Sequence, residues 1–129
     1  MRMVFPNLPV KDLQRSRDFF AALGFEFNEQ FSDENAACLV LADNVFVMLL
    51  TEQRFRDFIK GDIADAHSAT ELLLGISAES REEVDELCDK ALAAGGSEWT
   101  PALEQGPMYE RTFQDPDGHV WAVIHMDLG

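Results

Sequence analysis

The stretch SREEVDELCDKALAAGG, residues 80–96, decides the fold because it repeats the plan of DLQRSRDFFAALG, residues 12–24. Ser80 and Glu83 form a capping box at a helix start. Val84, Leu87, Cys88, Ala91 and Leu92 then recur at i, i+3, i+4, i+7 and i+8, one apolar stripe of an amphipathic helix. Gly95-Gly96 ends it. In the earlier stretch Asp12 is the N-cap, Leu13, Phe20 and Leu23 carry the apolar face beside Phe19, and Gly24 supplies the left-handed C′ position. The two closing glycines, Gly24 and Gly95, fall at equivalent points of two similar halves.

Working outward, Arg2 to Val10 reads as a short, irregular or edge strand, because Pro6 and Pro9 cannot donate to a ladder. Phe25, Phe27 and Phe31 alternate with polar residues and predict a half-buried strand. Strands are expected at Ala36 to Ala42 and Val45 to Leu50, separated by a turn at Asp43-Asn44. Phe55, Phe58 and Ile59 predict a short helix over residues 51–60, capped by Thr51, and a polar connection with His67 follows. Glu71 to Ala78, Ser97 to Leu103, Tyr109 to Gln114 and His119 to Met126 predict the strands of the second half, with Glu104 to Pro107 as a loop. Asp115-Pro116-Asp117-Gly118 has the residues of a tight turn. The expected order is βαβββ, a linking helix, then βαβββ.

The chain has 129 residues, with 24 Asp and Glu against ten Lys and Arg, a net charge of −14. Its length suits one domain able to bury a core without disulfides. The hydrophobic share of 47%, ten Phe included, argues against disorder. No apolar run is long enough to span a membrane, and the opening Met1 to Asn7 lacks a signal peptide's apolar core. A pI near 4.3 disfavours nucleic acid as a partner. Cys38 and Cys88 sit in apolar patterns and read as reduced, buried thiols of a cytoplasmic protein.

The sequence resembles the vicinal oxygen chelate superfamily, which includes glyoxalase I, extradiol dioxygenases and the bleomycin- and fosfomycin-resistance proteins. The resemblance rests on Asn7-Leu8-Pro9-Val10-Lys11-Asp12-Leu13, Ser16, Phe19-Phe20 and Leu23-Gly24-Phe25. It continues in Ala94-Gly95-Gly96, in Asp115-Pro116-Asp117-Gly118-His119-Val120-Trp121, and in Met48-Leu49-Leu50-Thr51-Glu52. It implies an α+β fold of two βαβββ modules forming a curved mixed sheet with a concave ligand cavity. On this reading residues 1–129 are one domain: a first module at about 1–51, a linking helix and loop at 52–69, and a second module at about 70–129. The resemblance also implies a homodimer.

Metal-dependent members carry His, Glu or Gln ligands at positions that fall here on Phe5, Met48, Glu71 and Ala122. Three of these lack the His, Glu or Gln donor, and one carboxylate does not hold a transition metal. No metal and no other cofactor is therefore expected. The candidate ligand-binding residues are Phe5, Asn7, Phe46, Met48, Glu71, Tyr109, Arg111 and Ala122, with Leu50 and Met108 as further wall. The inward face of the Tyr109 strand is open at this point; Tyr109, Arg111 and Phe113 share one face. With Ala122 turned to the cavity, alternation sends His119, Trp121, Val123 and His125 toward the helices.

Glu71 is the candidate catalytic group, either a general base with a pKa raised by an apolar pocket or a solvated rim carboxylate, alone or paired with Arg111. Two functions stand. One is a metal-free binding protein taking a small apolar or cationic molecule, as the bleomycin-resistance proteins do. The other is a metal-dependent lyase or isomerase of the glyoxalase type acting on a small oxygenated or thiol-adduct substrate. The chain's status as an enzyme stays open between them.

Overall fold

The computed structural model describes residues 1–127. The expected last two residues of the second module, 128 and 129, lie outside the described residues. Packing divides the chain into two compact units, Met1–Asp65 and Ala66–Gly129.

The first unit runs β1 (Asn7–Val10), α1 (Leu13–Ala22), β2 (Glu26–Phe27), a 3-10 turn (Glu29–Phe31), β3 (Ala36–Ala42), β4 (Val45–Thr51) and α2 (Glu52–Phe58). Its four-stranded sheet has the order β1-β4-β3-β2, with β1 parallel to β4 and the other pairs antiparallel. The second unit runs β5 (Leu73–Ser77), α3 (Arg81–Ala93), β6 (Ser97–Glu98), β7 (Leu103–Gln105), β8 (Met108–Gln114) and β9 (Val120–Met126). Its order is β5-β9-β8-β6, again with the first and last strands parallel, and β7 adds to β8. The same strand order in both units matches the internal repeat read from the sequence. The linking helix α2 packs on β1 and β4 and so belongs to the first unit.

Local chemistry explains the helices. The Asp12 carboxylate accepts from the Arg15 N–H at 3.0 Å, and the Ser80 hydroxyl accepts from the Glu83 N–H at 3.0 Å. At the C-terminus of α1, Gly24 takes φ +99° and the Phe25 N–H reaches back to the Phe20 carbonyl at 3.1 Å. The Phe20 and Phe25 rings meet edge-on, the apolar contact that accompanies this type of helix end. The same closure ends α3, with the Gly96 N–H on the Ala91 carbonyl at 2.9 Å.

Each helix covers one sheet face. In the first unit Leu8, Val10, Ala37, Leu39, Val47 and Leu49 are buried on a common face, with Phe19 and Phe20 of α1 and its C-cap Leu23 in the same core. In the second unit Val84, Cys88 and Ala91 of α3 join Phe113, Trp121 and Val123. Phe113 and Trp121 are register partners, and their rings stack in parallel at 6.4 Å. Both cysteines are free and buried. Burial pushes the Cys88 thiol up to about 11 and also raises Cys38.

Several expected elements change, among them the first strand, which begins only at Asn7. Phe31 leaves the strand: the Asn28 side chain accepts from the Gln30 N–H at 3.0 Å and starts the 3-10 turn, leaving Phe31 exposed. The strand expected over 97–103 breaks in two. Pro101 has no N–H to give, and Thr100 spends its own N–H on the Thr112 hydroxyl at 3.0 Å. Glu104 and Gln105, expected in a loop, extend β7. The strand expected from Glu71 begins only at Leu73, where pairing with Val120 of β9 starts.

Candidate functional site

The first unit gathers its candidates on the sheet face turned away from α1. Since Leu8, Val47 and Leu49 point to α1, alternation turns Asn7, Phe46 and Met48 the other way. Asn7 and Met48 are register partners, and Cys38 pairs with Met48 on the far side. Phe5 stacks on Phe46 with centroids 5.7 Å apart and planes at 19°, and Phe5 stays half exposed. Asn7 donates its side-chain N–H to the Phe5 carbonyl at 2.7 Å, which fixes the backbone that presents the ring. The four residues form an apolar, accessible surface edged by one amide.

The second unit splits its candidates. The Tyr109 hydroxyl donates to Asp85 of α3 at 2.6 Å, and Arg111 Nη1 lies 3.1 Å from both Asp85 and Asp89. Arg81 lies over the Tyr109 ring, 4.2 Å from its centroid, and pairs with Glu104. The Tyr109 hydrogen bond, aided by Arg111, holds the Asp85 carboxyl below its usual range, and the same bond raises the Tyr109 phenol. Tyr109 and Arg111 therefore belong to the face covered by α3. Ala122 pairs with Thr112 and Gly75 and lies on the opposite face. The set that joined Tyr109 and Arg111 to Ala122 as one wall is corrected on this point: strand alternation puts them on two sides of the sheet.

Glu71 also moves. It precedes β5, is exposed, and takes no place in the alternation that aligns Leu73 with Gly75. The pocket invoked to make it a base is not built around it within its unit. The pairing with Arg111 fails too, because Arg111 is engaged by Asp85 and Asp89.

The carboxylate that does share the face of Ala122 is Glu110. Its neighbours Tyr109 and Arg111 both reach α3, so Glu110 turns the other way, opposite Ile124 of β9 and Leu103 of β7. In the sequence Glu110 stands only as a possible ligand, with Glu71 and a histidine, of the metal-dependent reading, and it is absent from the expected ligand-binding set because the facing of its strand is open. The signal was nonetheless present, since Asp85 and Asp89 lie on one side of a helix that Tyr109 and Arg111 could meet.

Trp121 and Val123 are buried on the α3 side, and His125 Nδ1 lies 3.1 Å from the Ala78 carbonyl. Asp115 is 3% exposed and organises the preceding turn. It accepts from the backbone N–H groups of Asp117 and His119 at 2.9 and 3.0 Å and from the Trp121 indole N–H at 3.1 Å. Burial raises its pKa against the opposing pull of His119 and these donors.

The metal implied by the resemblance does not fit this donor set. Phe5 and Ala122 carry no donor, Met48 offers only a thioether, and Glu71 is a single exposed carboxylate. Among the described residues no three His, Cys, Asp or Glu gather as a metal-holding group. A wide-open cleft of about 340 Å³ lies in the first unit, lined by Leu13, Gln14, Arg17, Asp33 and Glu34. Its one cation, Arg17, is committed to Glu29 and sits 4.7 Å over the Phe27 ring. Among the described residues no helix is long and apolar enough to cross a membrane.

Residues 2–41 match the family profile "Bleomycin resistance protein-like N-terminal". No curated protein matches the chain. Among solved structures, the hypothetical protein SA1046 from S. aureus is similar at 25% identity and TM-score 0.82, covering 97% of this chain and 94% of that one. A glyoxalase-related enzyme from Fulvimarina pelagi is similar at 19% identity and TM-score 0.82, covering 97% and 88%. The fosfomycin resistance protein FosX from Listeria monocytogenes is similar at 19% identity and TM-score 0.71, covering 99% and 95%. With the first strand parallel to the last and the remaining strands following in reverse order in each unit, β7 aside, and with these likenesses over nearly the whole length, the chain has the vicinal oxygen chelate fold of the glyoxalase and bleomycin-resistance-like kind.

Proposed function

We propose that this protein holds a small apolar or cationic molecule on the face of its first unit's sheet that is turned away from α1, and does so without a metal. The observation that carries the reading is the half-exposed Phe5–Phe46 stack beside Met48 and Asn7. Stacked aromatic rings next to a thioether give a ligand contact area and dispersion, and the amide offers one point of orientation. The donor-poor set Phe5, Met48, Glu71 and Ala122 supports the metal-free part. The net charge of −14 favours cationic over anionic ligands.

The test uses protein labelled with 13C at the methionine methyls and titrated with 2-phenylethanol. The Met48 resonance is expected to shift saturably, and Phe46→Ala is expected to weaken binding about tenfold through the lost stacking surface. A Met48 resonance that ignores the probe overturns the binding reading. Elemental analysis of the purified protein and thermal melts with nickel, zinc or manganese address the metal. A stoichiometric ion, or several degrees of stabilisation at micromolar metal, overturns the metal-free part.

A further inference from the structure

We infer that Asn7 sets the hydrogen-bonding sense of the ligand: the aromatic molecule held beside Phe5 and Phe46 carries a neutral N–H or O–H donor, and the Asn7 side-chain oxygen accepts it. The inference rests on the ligand-binding reading above and stays within the first unit. It adds the polar group that the ligand presents and the residue that reads it.

The orientation of the amide is fixed by its partner. β1 is an edge strand of its sheet, and alternate carbonyls of this stretch are spent on β4: Val4 accepts from the Phe46 N–H at 3.0 Å and Pro6 from the Met48 N–H at 2.8 Å. The Phe5 carbonyl between them turns away from β4. Asn7 donates its side-chain N–H to that carbonyl at 2.7 Å. A carbonyl only accepts, so the nitrogen end of the amide faces Phe5 and the oxygen end is turned from it. The Asn7 side chain makes no other hydrogen bond among the described residues, so Oδ1 is left to a ligand or to water.

The same amide is the one strong polar group within reach of the rings. Across β1, β4 and β3 the side chains that share its face are otherwise hydrocarbon, thioether or thiol. Glu26 of β2 reaches that face through its pairing with Val40. β2, however, stands three strands from β1, about 14 Å away at the usual strand spacing. Phe5 and Asn7 are two residues apart on one strand, about 7 Å, a distance that one ring, its polar substituent and a hydrogen bond cover. A ring laid against Phe5 therefore brings its substituent to Asn7.

The free atoms decide what that substituent is. Asn7 is exposed, so solvent satisfies Oδ1 until a ligand arrives. A donor on the ligand replaces that water at little cost, whereas a methyl group or a further lone pair displaces it and returns nothing. The second N–H of the amide stays available to an acceptor and treats alike all ligands that share a carbonyl. The occupant is thus an aromatic amide, phenol or alcohol in preference to a ketone or ether of the same outline, and it needs no charge.

The experiment compares benzamide with acetophenone, which share the ring, the outline and the carbonyl and differ in NH2 against CH3. Binding to the whole chain is read from the Met48 methyl in 13C spectra. The ratio of benzamide to acetophenone affinity is expected to fall about threefold on Asn7→Ala and on Asn7→Leu, the loss of one hydrogen bond to the ligand. Comparing ratios cancels the different hydrophobicity of the probes and any backbone shift at Phe5 that weakens both alike. In the unaltered protein labelled with 13C at asparagine, the Asn7 side-chain carbonyl carbon is expected to move further with benzamide than with acetophenone. Gln53→Ala, which removes an exposed amide elsewhere in the unit, is expected to leave the ratio unchanged, and so is raised salt.

A ratio that both Asn7 variants leave unchanged, a ratio that falls as far with Gln53→Ala, or equal movement of the Asn7 carbon with the two probes overturns the inference. Met48 shifts with either probe then still leave the broader binding reading standing. If neither probe moves Met48, both fall together. Should a variant lose the native spectrum, the Asn7 carbon of the unaltered protein gives the decision.

Discussion

The two units share one topology and little else. In the first, α1 is fastened to its sheet by aromatic side chains, with Phe19 and Phe20 buried and crossed edge-on at 4.9 Å. In the second, α3 has a narrower apolar stripe of Val84, Cys88 and Ala91, and a polar bridge from Asp85 and Asp89 to Tyr109 and Arg111 flanks it. Their charges diverge as well, with seven basic against eleven acidic residues up to residue 65 and three against thirteen beyond it. Strand order is set by caps, turns and the apolar pattern, which both halves keep. The chemistry of each exposed face is free of that constraint, and each half uses it differently.

The sharpest break in the comparison is expected from Phe20→Ala. Phe20 anchors α1 and also contacts Phe25 at the helix end, so its loss should cost about 3–5 kcal/mol in urea unfolding. No single truncation on α3 is expected to cost as much, since its burden is spread over smaller side chains and the polar bridge. A larger loss from Val84→Ala than from Phe20→Ala would invert the contrast.

Asp115→Ala comes next, at about 3 kcal/mol, because two backbone N–H groups and the Trp121 indole lose their acceptor in a buried site. Among the described residues the turn at Asp43-Asn44 has no such carboxylate cage. The change should appear both in the urea midpoint and in the fluorescence of Trp121; an unaltered midpoint would mean that water replaces the carboxylate.

A paired substitution sharpens the comparison further. Gly24 and Gly118 both have positive φ, at +99° and +88°. A methyl at Gly24 meets nothing within 4 Å, whereas at Gly118 it would come within 2.8 Å of the His67 backbone nitrogen. Gly118→Ala is expected to cost about 2 kcal/mol and Gly24→Ala about 1 kcal/mol, the conformational cost alone. Equal melting temperatures for the two variants would show that the His67 segment yields freely.

Tyr109→Phe is expected to cost no more than Gly24→Ala, about 1 kcal/mol for one exchanged hydrogen bond. Its signature is in acid. The Asp85 pKa is lowered in the folded state, so its contribution is present above the ordinary carboxylate range and fades as pH falls through the lowered value. Removing the hydroxyl should make the acid-side loss of stability shallower. An identical slope for both proteins would show that Arg111 and Arg81, and not the Tyr109 hydroxyl, set the Asp85 ionisation.

The sequence yields the helices and most strands because their signals are local. Asp12, Ser80, Gly24 and Gly95 act within one turn of where they stand, and Ala36 to Ala42 is bounded by turn residues on both sides. What escapes is relational. Alternation shows that Tyr109 and Arg111 share a face, but only the approach of Asp85 reveals which face it is. The start of β5 depends on where β9 begins, 47 residues downstream, which is why Glu71 reads as a strand residue and is not one. Phe31 follows the period of a strand until Asn28 diverts the backbone. The grouping of Phe5, Asn7, Phe46 and Met48 comes from the resemblance; the parallel pairing of β1 with β4 brings Asn7 to Met48, and the ring stack brings Phe5 to Phe46.

The placement of the two thiols has a practical consequence. Cys38 lies in β3 of the first half and Cys88 in α3 of the second, each shielded and held in its unreactive protonated form. Nature has thus left one silent stopwatch in either half. The pace at which an alkylating reagent marks each sulfur reports how often that half opens, and matching paces would reveal that the twin halves come apart as one.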